Sequence, residues 1–210
     1  MARRFTPDEI PGICFIVAGP SGAGKATLLR RLLDEVEGLV LVHSHTTRPA
    51  RRDDDLLRKY RHVSDAEFRE EVANGGFLEW AQVHGYFYGT PVSELLAAGR
   101  GGKDVILELD VQGVRQAKPL LPDPVTIFIM APNMEALRER MEKRDVDTPS
   151  EEIETRLKTA EEEMRHRSEF DYVILNDDVE EALKQLRAVI VTERARPARV
   201  LRRAEVSGGG

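Results

Sequence analysis

The stretch Ile13-Cys14-Phe15-Ile16-Val17-Ala18-Gly19-Pro20-Ser21-Gly22-Ala23-Gly24-Lys25 passes directly from an unbroken apolar run into glycine-rich turn chemistry. The run over 12–18 has the length of a strand and offers no polar side chain to water, the pattern of a strand covered on both faces. After the loop, Leu28, Leu29, Leu32 and Leu33 recur at helical spacing with Arg30, Arg31 and Asp34 between them. The glycine loop therefore opens an amphipathic helix, and strand, loop and helix make half of a βαβ unit. Gly19-x4-Gly24-Lys25 is the phosphate-loop pattern up to its lysine. Glycine permits backbone angles at which successive N–H groups converge on an anion, and the helix adds its positive end. Lys25 then bridges the outer phosphates of ATP and offsets the charge that shifts during transfer.

The predicted triphosphate site is Gly19, Pro20, Ser21, Gly22, Ala23, Gly24, Lys25, Ala26 and Thr27. Ala26 stands where a hydroxyl usually ligates Mg²⁺, so the metal is expected to be held by ATP oxygens and waters. Thr27, one place on, can reach the α-phosphate with its hydroxyl.

Further apolar runs at Asp104–Asp110, Val125–Met130 and Tyr172–Leu175 predict three more strands, rich in β-branched residues. Between and after them, Gln112–Lys118, a helix capped by Asn133, and Val179–Glu193 supply helices. The alternation predicts an α/β fold with a doubly wound parallel sheet. Two stretches break that rhythm. Residues 43–100 form a long polar and aromatic insert between the first helix and the second strand, and the charged segment Lys143–Glu151 separates two helices. Both are expected to be movable substrate lobes. From Arg194 the chain becomes arginine-rich and ends in Ser207-Gly208-Gly209-Gly210, so 196–210 is expected to be a disordered tail.

Composition bounds the function. The 210 residues are 41% apolar, enough for one compact domain with small insertions, and the formal net charge is −6. That charge argues against a general nucleic-acid binder, so any grip on phosphate must be local. Cys14 is the single cysteine, which excludes an intramolecular disulfide and a cysteine-based zinc site, and its apolar surroundings mark a buried hydrophobe. Residues Met1–Asp8 lack the apolar stretch of a secretory signal, and no segment approaches the ~18 apolar residues that span a bilayer. The expected location is the cytoplasm, without membrane or nucleic-acid partners. The five histidines show no metal-binding spacing, and none is assigned a catalytic role.

Several motifs in one order resemble guanylate kinase: Ser44-His45-Thr46-Thr47-Arg48-Pro49-Ala50-Arg51, Tyr60, Phe77-Leu78-Glu79-Trp80, Tyr88-Gly89-Thr90, Leu107-Glu108-Leu109-Asp110-Val111-Gln112-Gly113, and Val173-Ile174-Leu175-Asn176-Asp177-Asp178. The resemblance covers about 11–195. It implies a P-loop core (11–42, 101–139 and 158–195), an inserted GMP-binding lobe over 43–100 and a short helical lid over 140–157. It also implies Mg-dependent transfer of the ATP γ-phosphoryl group to GMP or dGMP, by a monomer or homodimer. On this reading Arg48, Arg51, Tyr60 and Tyr88 grip the GMP phosphate, as planar multi-donor cations suit a dianion. Glu79 accepts the guanine N1–H and N2–H together, Thr90 lies near O6, Ser44 contacts the nucleotide, and Asp110 lies beside the 2-amino group. Lys25, Arg51 and the lid residues Arg144 and Arg156 are the implied catalytic cations, and Glu108 is implied to act on Mg²⁺ through water.

The chain also departs from the family pattern. The glycines of the 49–62 loop are gone, Asp54 and Glu108 stand for Glu and Asp, and Arg61-His62 replaces an aromatic pair. Two rivals share parts of the pattern. A ribose 1,5-bisphosphate phosphokinase has no use for a guanine-reading carboxylate, and a non-catalytic guanylate kinase-like phosphopeptide-binding module usually loses the lysine that stands here at position 25.

Overall fold

Strand β1 (Cys14–Ala18) is buried along its whole length, as a run with no polar side chain requires. The computed structural model describes residues 3–50, 60–83, 85–144 and 149–208. After β1 come α1 (Lys25–Glu35), β2 (Leu39–Leu41), β3 (Ser44–Thr46), β4 (Tyr60–His62), α2 (Asp65–Ala73), β5 (Phe77–Val83), β6 (Tyr86–Pro91) and α3 (Val92–Ala98). The chain continues with β7 (Asp104–Glu108), α4 (Val111–Ala117), β8 (Val125–Met130), α5 (Met134–Arg144), α6 (Ser150–Arg165), β9 (Tyr172–Leu175), α7 (Val179–Arg194) and α8 (Pro197–Gly208).

Five strands form a parallel sheet in the order β2-β7-β1-β8-β9. Because β1 lies between β7 and β8, the strand order reverses at β1, and a crevice opens beyond the carboxyl ends of the strands there. The phosphate loop leaves β1 at that point. One apolar layer joins β1, β8 and β9 to α1, α5, α6 and α7 through residues such as Phe15, Leu28, Leu32, Ile127, Leu157 and Leu186. The other face is covered by α3, α4 and the N-terminal segment through Phe5, Ile10, Leu95, Val114 and Phe128. Cys14 is fully buried, and burial pushes its thiol up to about 12, so it packs as an inert hydrophobe.

Strands β3, β4, β5 and β6 build a second sheet in the order β4-β3-β6-β5. Its own small core is aromatic: Phe68, 1% exposed, stacks on Phe77 and Phe87 at centroid distances of 4.5 and 5.3 Å. Helix α2 begins with a reciprocal cap, in which Ser64 Oγ accepts from the Glu67 amide while Glu67 accepts from the Ser64 amide. The second sheet meets the main body where the Trp80 backbone and the Gln116 side-chain amide of α4 exchange hydrogen bonds. Leu78 and Val42 enter the main core.

Two expectations are corrected. No strand is expected in the core stretch between the first helix and the insert that begins at 43, whereas β2 intervenes there as an edge strand paired with β7. Three residues are too few for a periodic signal, and pairing with β7 is what makes Leu39–Leu41 a strand. The expected disordered tail is α8, and Arg199 in it is 5% exposed. Arginines of α8, and Arg194 at the end of α7, meet buried carboxylates that local sequence could not place. Arg199 pairs with Glu193, Arg203 Nη2 donates to both Asp104 oxygens at 2.6 Å, and Arg194 Nε donates to Asp104 at 2.7 Å. Among the described residues, no helix is long and apolar enough to cross a membrane.

Candidate active site

Gly19, Gly22 and Gly24 take φ values of 141°, 83° and 88°, which side chains rarely adopt. Space excludes them as well: a Cβ on Gly19 would lie 2.0 Å from the Ile129 carbonyl oxygen, and one on Gly24 2.2 Å from Asn176 Nδ2. Lys25 begins α1 and folds back over the loop, its ammonium donating to the Gly19 carbonyl and, at 3.1 Å, to that of Pro20. A triphosphate can take over this ammonium at little cost, because phosphate oxygens replace carbonyl oxygens as acceptors. Ala26 offers only a methyl group, and Thr27 is exposed on the first turn of α1.

Two supports of this loop were not assigned a role from the sequence. Asn176, 2% exposed, follows β9, and its Nδ2 donates to the Ala23 carbonyl at 2.7 Å. Its backbone N–H donates to Met130 at 2.7 Å, and its carbonyl accepts from Arg140 Nη2 at 3.0 Å. Glu163, on α6, feels the charges of both Lys25 and Asp110, and burial raises its carboxyl to about 7. A helical-face signal was available for it, because Ile153, Arg156, Leu157 and Ala160 are the buried residues of α6 and Glu163 continues their i+3/i+4 stripe.

The second cluster lies in the inserted sheet and at the end of β7. Thr90 Oγ1 donates to Glu79 Oε1 at 2.7 Å and stands 3.5 Å from Ser44 Oγ, so the three form a line of polar groups within the lobe. Glu79 is 6% exposed, and burial raises its carboxyl to about 7, with the Asp110 charge adding to the rise and the Thr90 bonds opposing it. Asp110 caps α4 by accepting from the Gly113 amide at 2.6 Å. A Cβ on Gly113 would lie 2.9 Å from Glu79 Oε2, so glycine lets the carboxylate approach α4. Nearby, Arg48 is 7% exposed, donates through Nε to the Tyr88 hydroxyl at 3.1 Å and lies over the Tyr60 ring, 5.6 Å from its centroid. The rings of Tyr60 and Tyr88 meet edge-on at 5.8 Å.

The structure thus brings Ser44, Glu79, Thr90 and Asp110 together, and likewise Arg48, Tyr60 and Tyr88. Arg51 lies outside the described residues. Arg144 ends α5, and its side chain lies outside the described residues too. Arg156 is buried on α6 and pairs with Glu152. Glu108, half-buried, ends β7 opposite Val17 of β1. Adjacent strands lie ~4.8 Å apart, so the ends of β7 and β1 set Glu108 and Asp110 beside the phosphate loop.

The family model described as guanylate kinase matches residues 13–193. The chain belongs to the guanylate kinase family. Guanylate kinases from Dechloromonas aromatica (strain RCB) and Syntrophomonas wolfei are 48% and 43% identical to it, over 85% and 88% of this chain and 88% and 94% of theirs. A crystal structure of guanylate kinase from Anaplasma phagocytophilum superposes with a TM-score of 0.70 at 32% identity, covering 90% of this chain and 89% of that one. TT1252 from Thermus thermophilus, at 20% identity and a TM-score of 0.53, shares the fold. Guanylate kinase membership accounts for the pairing of a phosphate loop with a separate small sheet.

Proposed function

We propose that this ATP:GMP phosphotransferase holds ATP over Gly19–Thr27 and reads GMP with Ser44, Glu79, Thr90 and Asp110, producing ADP and GDP. The observation that carries this assignment is the buried Thr90–Glu79 hydrogen bond beside Asp110, at the crevice where the phosphate loop leaves β1. Ionised Glu79 accepts the N1–H and N2–H of guanine together, a donor pair that adenine lacks. A buried polar group left unmatched is costly, so this contact discriminates between bases better than shape does.

Arg48, with the Tyr60 and Tyr88 hydroxyls, receives the GMP phosphate, and Arg51 completes that grip. Lys25 leaves the Gly19 and Pro20 carbonyls for the β- and γ-phosphates. Arg144 and Arg156 close from the 140–157 lid onto the transferring group and keep water out. The acceptor oxygen of GMP is already anionic, so no general base is required, and catalysis consists of positioning and charge compensation. Among the described residues, no three His, Cys, Asp or Glu side chains converge on a metal position, and position 26 has no hydroxyl. A magnesium ion would be bound mainly by ATP oxygens and water, and Glu108, at the end of β7, would hold it through a water molecule. When bound, that ion neutralises phosphate charge.

A coupled ADP-release assay with ATP and Mg²⁺ against GMP, AMP, UMP and ribose bisphosphate tests the assignment. GMP is expected to be strongly preferred, and equal rates with AMP or the sugar phosphate overturn it. Lys25→Ala is expected to lower turnover by about a hundredfold or more while leaving the melting temperature near that of the parent.

A further inference from the structure

Asn176 is nearly fully buried, yet its Oδ1 has no hydrogen-bond partner among the described residues. A side chain selected for stability alone would not keep a buried acceptor unmet, since that is a net cost to the fold. Its other groups are all engaged, and they meet three separate elements. The backbone N–H is held by Met130 at the end of β8, Nδ2 holds the Ala23 carbonyl in the phosphate loop, and the backbone carbonyl holds Arg140 of α5.

We propose that Asn176 is a positioning residue for ATP, one that sets the direction of the Ala23–Gly24 peptide in the phosphate loop and ties that loop to helix α5, the helix leading into the lid. The proposal rests on the reading of Gly19–Thr27 as the ATP cradle.

The peptide unit is planar and trans, so its C=O and N–H point in opposite directions. By drawing the Ala23 carbonyl toward itself, Asn176 turns the Gly24 N–H the other way, to the side where an anion is received. Were that peptide to flip, the cradle would present a carbonyl oxygen to the phosphates in place of a donor. Gly24 at φ 88° is free to undergo such a flip, because glycine has no side chain to resist it. The 2.2 Å between its hypothetical Cβ and Nδ2 shows how closely the amide is seated on it.

Helix α5 touches the same loop at a second place. The Leu137 carbonyl and the Met141 side chain lie 3.2 and 3.3 Å from a Cβ built on Gly22. Movement of α5 is therefore felt at Gly22 by contact and at Ala23 through Arg140 and Asn176. ATP affinity and the position of the lid helix become linked, while Ser44, Glu79 and Thr90, carried by the other sheet, are not part of this chain of contacts.

Steady-state kinetics with ATP and GMP varied separately test the proposal, using Asn176→Ala, Asn176→Leu, Arg140→Ala and the double variant Asn176→Leu/Arg140→Ala. Asn176→Leu keeps the branching of the side chain, at somewhat larger volume, and removes the donor. Arg140→Ala alters a half-buried side chain on the helix surface, so it reports even where the Asn176 variants fold poorly. Both Asn176 variants are expected to raise KM for ATP about tenfold with KM for GMP within about twofold, and Arg140→Ala to raise it about threefold. The double variant is expected to be no worse than Asn176→Leu alone, since Arg140 reaches the Ala23 carbonyl through Asn176 and that link is already cut when Nδ2 is lost. An unchanged KM for ATP in Asn176→Leu, or a parallel rise in both KM values, overturns the proposal. An inactive parent protein in the same assay would instead overturn the proposed function.

Discussion

Glu79 and Glu163 are two carboxyl groups that both feel the charge of Asp110, and burial has moved both to about 7 from an ordinary value near 4.5. For a carboxyl raised in this way, the folded state holds its proton more firmly than the unfolded chain. Its contribution to stability is complete below about 4.5 and is lost as the pH rises through about 7. At pH 8 the ionised Glu79 therefore costs the empty fold up to about 3 kcal/mol. Glu79→Gln is expected to melt above the parent at pH 8 and level with it at pH 4, while losing most of the preference for GMP over AMP. Melting curves at the two pH values, with base selectivity measured alongside, check both halves. The same titration bears on binding, because a protonated carboxyl accepts one donor where the ionised form accepts two. KM for GMP in the parent is expected to rise as the pH falls from 8 to 6 while KM for ATP changes less, and a flat profile for GMP would exclude Glu79 as the reader.

At the scale of elements, α8 is bolted to the amino ends of the strands and the phosphate loop sits at their carboxyl ends. Asp104, at the start of β7, accepts from the Ile13 amide at 2.8 Å and from Arg194 and Arg203. Glu193 receives Arg199 and, at 2.5 Å, the Tyr172 hydroxyl. Removing one partner from a buried ion pair leaves a charge without compensation, so Arg199→Ala is expected to cost about 3 kcal/mol of stability. Denaturant unfolding measures that loss, and unchanged KM values for ATP and GMP would show that the bolt serves the fold rather than the site. Asp110 shows how an element end can serve both purposes. Its Oδ1 caps α4 through Gly113, which fixes the carboxylate at the mouth of the crevice beside Glu79.

For the whole molecule, the two sheets have separate cores. The small sheet depends on three stacked rings around Phe68, and the main sheet on two aliphatic layers. A large-to-small change in the aromatic core removes buried area and leaves a cavity, typically costing about 3–5 kcal/mol. Phe68→Ala is therefore expected to loosen the small sheet locally. Amide exchange should quicken over 60–83 and 85–91 and stay slow in β1 and β8, with KM for GMP rising well above any change for ATP. Uniform acceleration of exchange through both sheets would mean that the lobe and the core unfold as one unit.

The apolar run ending in Gly19, the helix opened by Lys25, and the limits of β8 and β9 were all determined by the sequence. Strand burial, helical spacing and glycine geometry are properties of neighbouring residues. The motif order likewise placed Ser44, Arg48, Tyr60, Glu79, Tyr88, Thr90 and Asp110 in register. Tertiary structure alone decided that Leu39–Leu41 is a strand, that an arginine-rich end docks as a helix, and that Asn176 and Glu163 belong to the phosphate loop's surroundings. Asn176 meets Ala23 across 153 residues and Arg203 meets Asp104 across 99. Such contacts arise from which elements pack side by side, and no local pattern of residues encodes that.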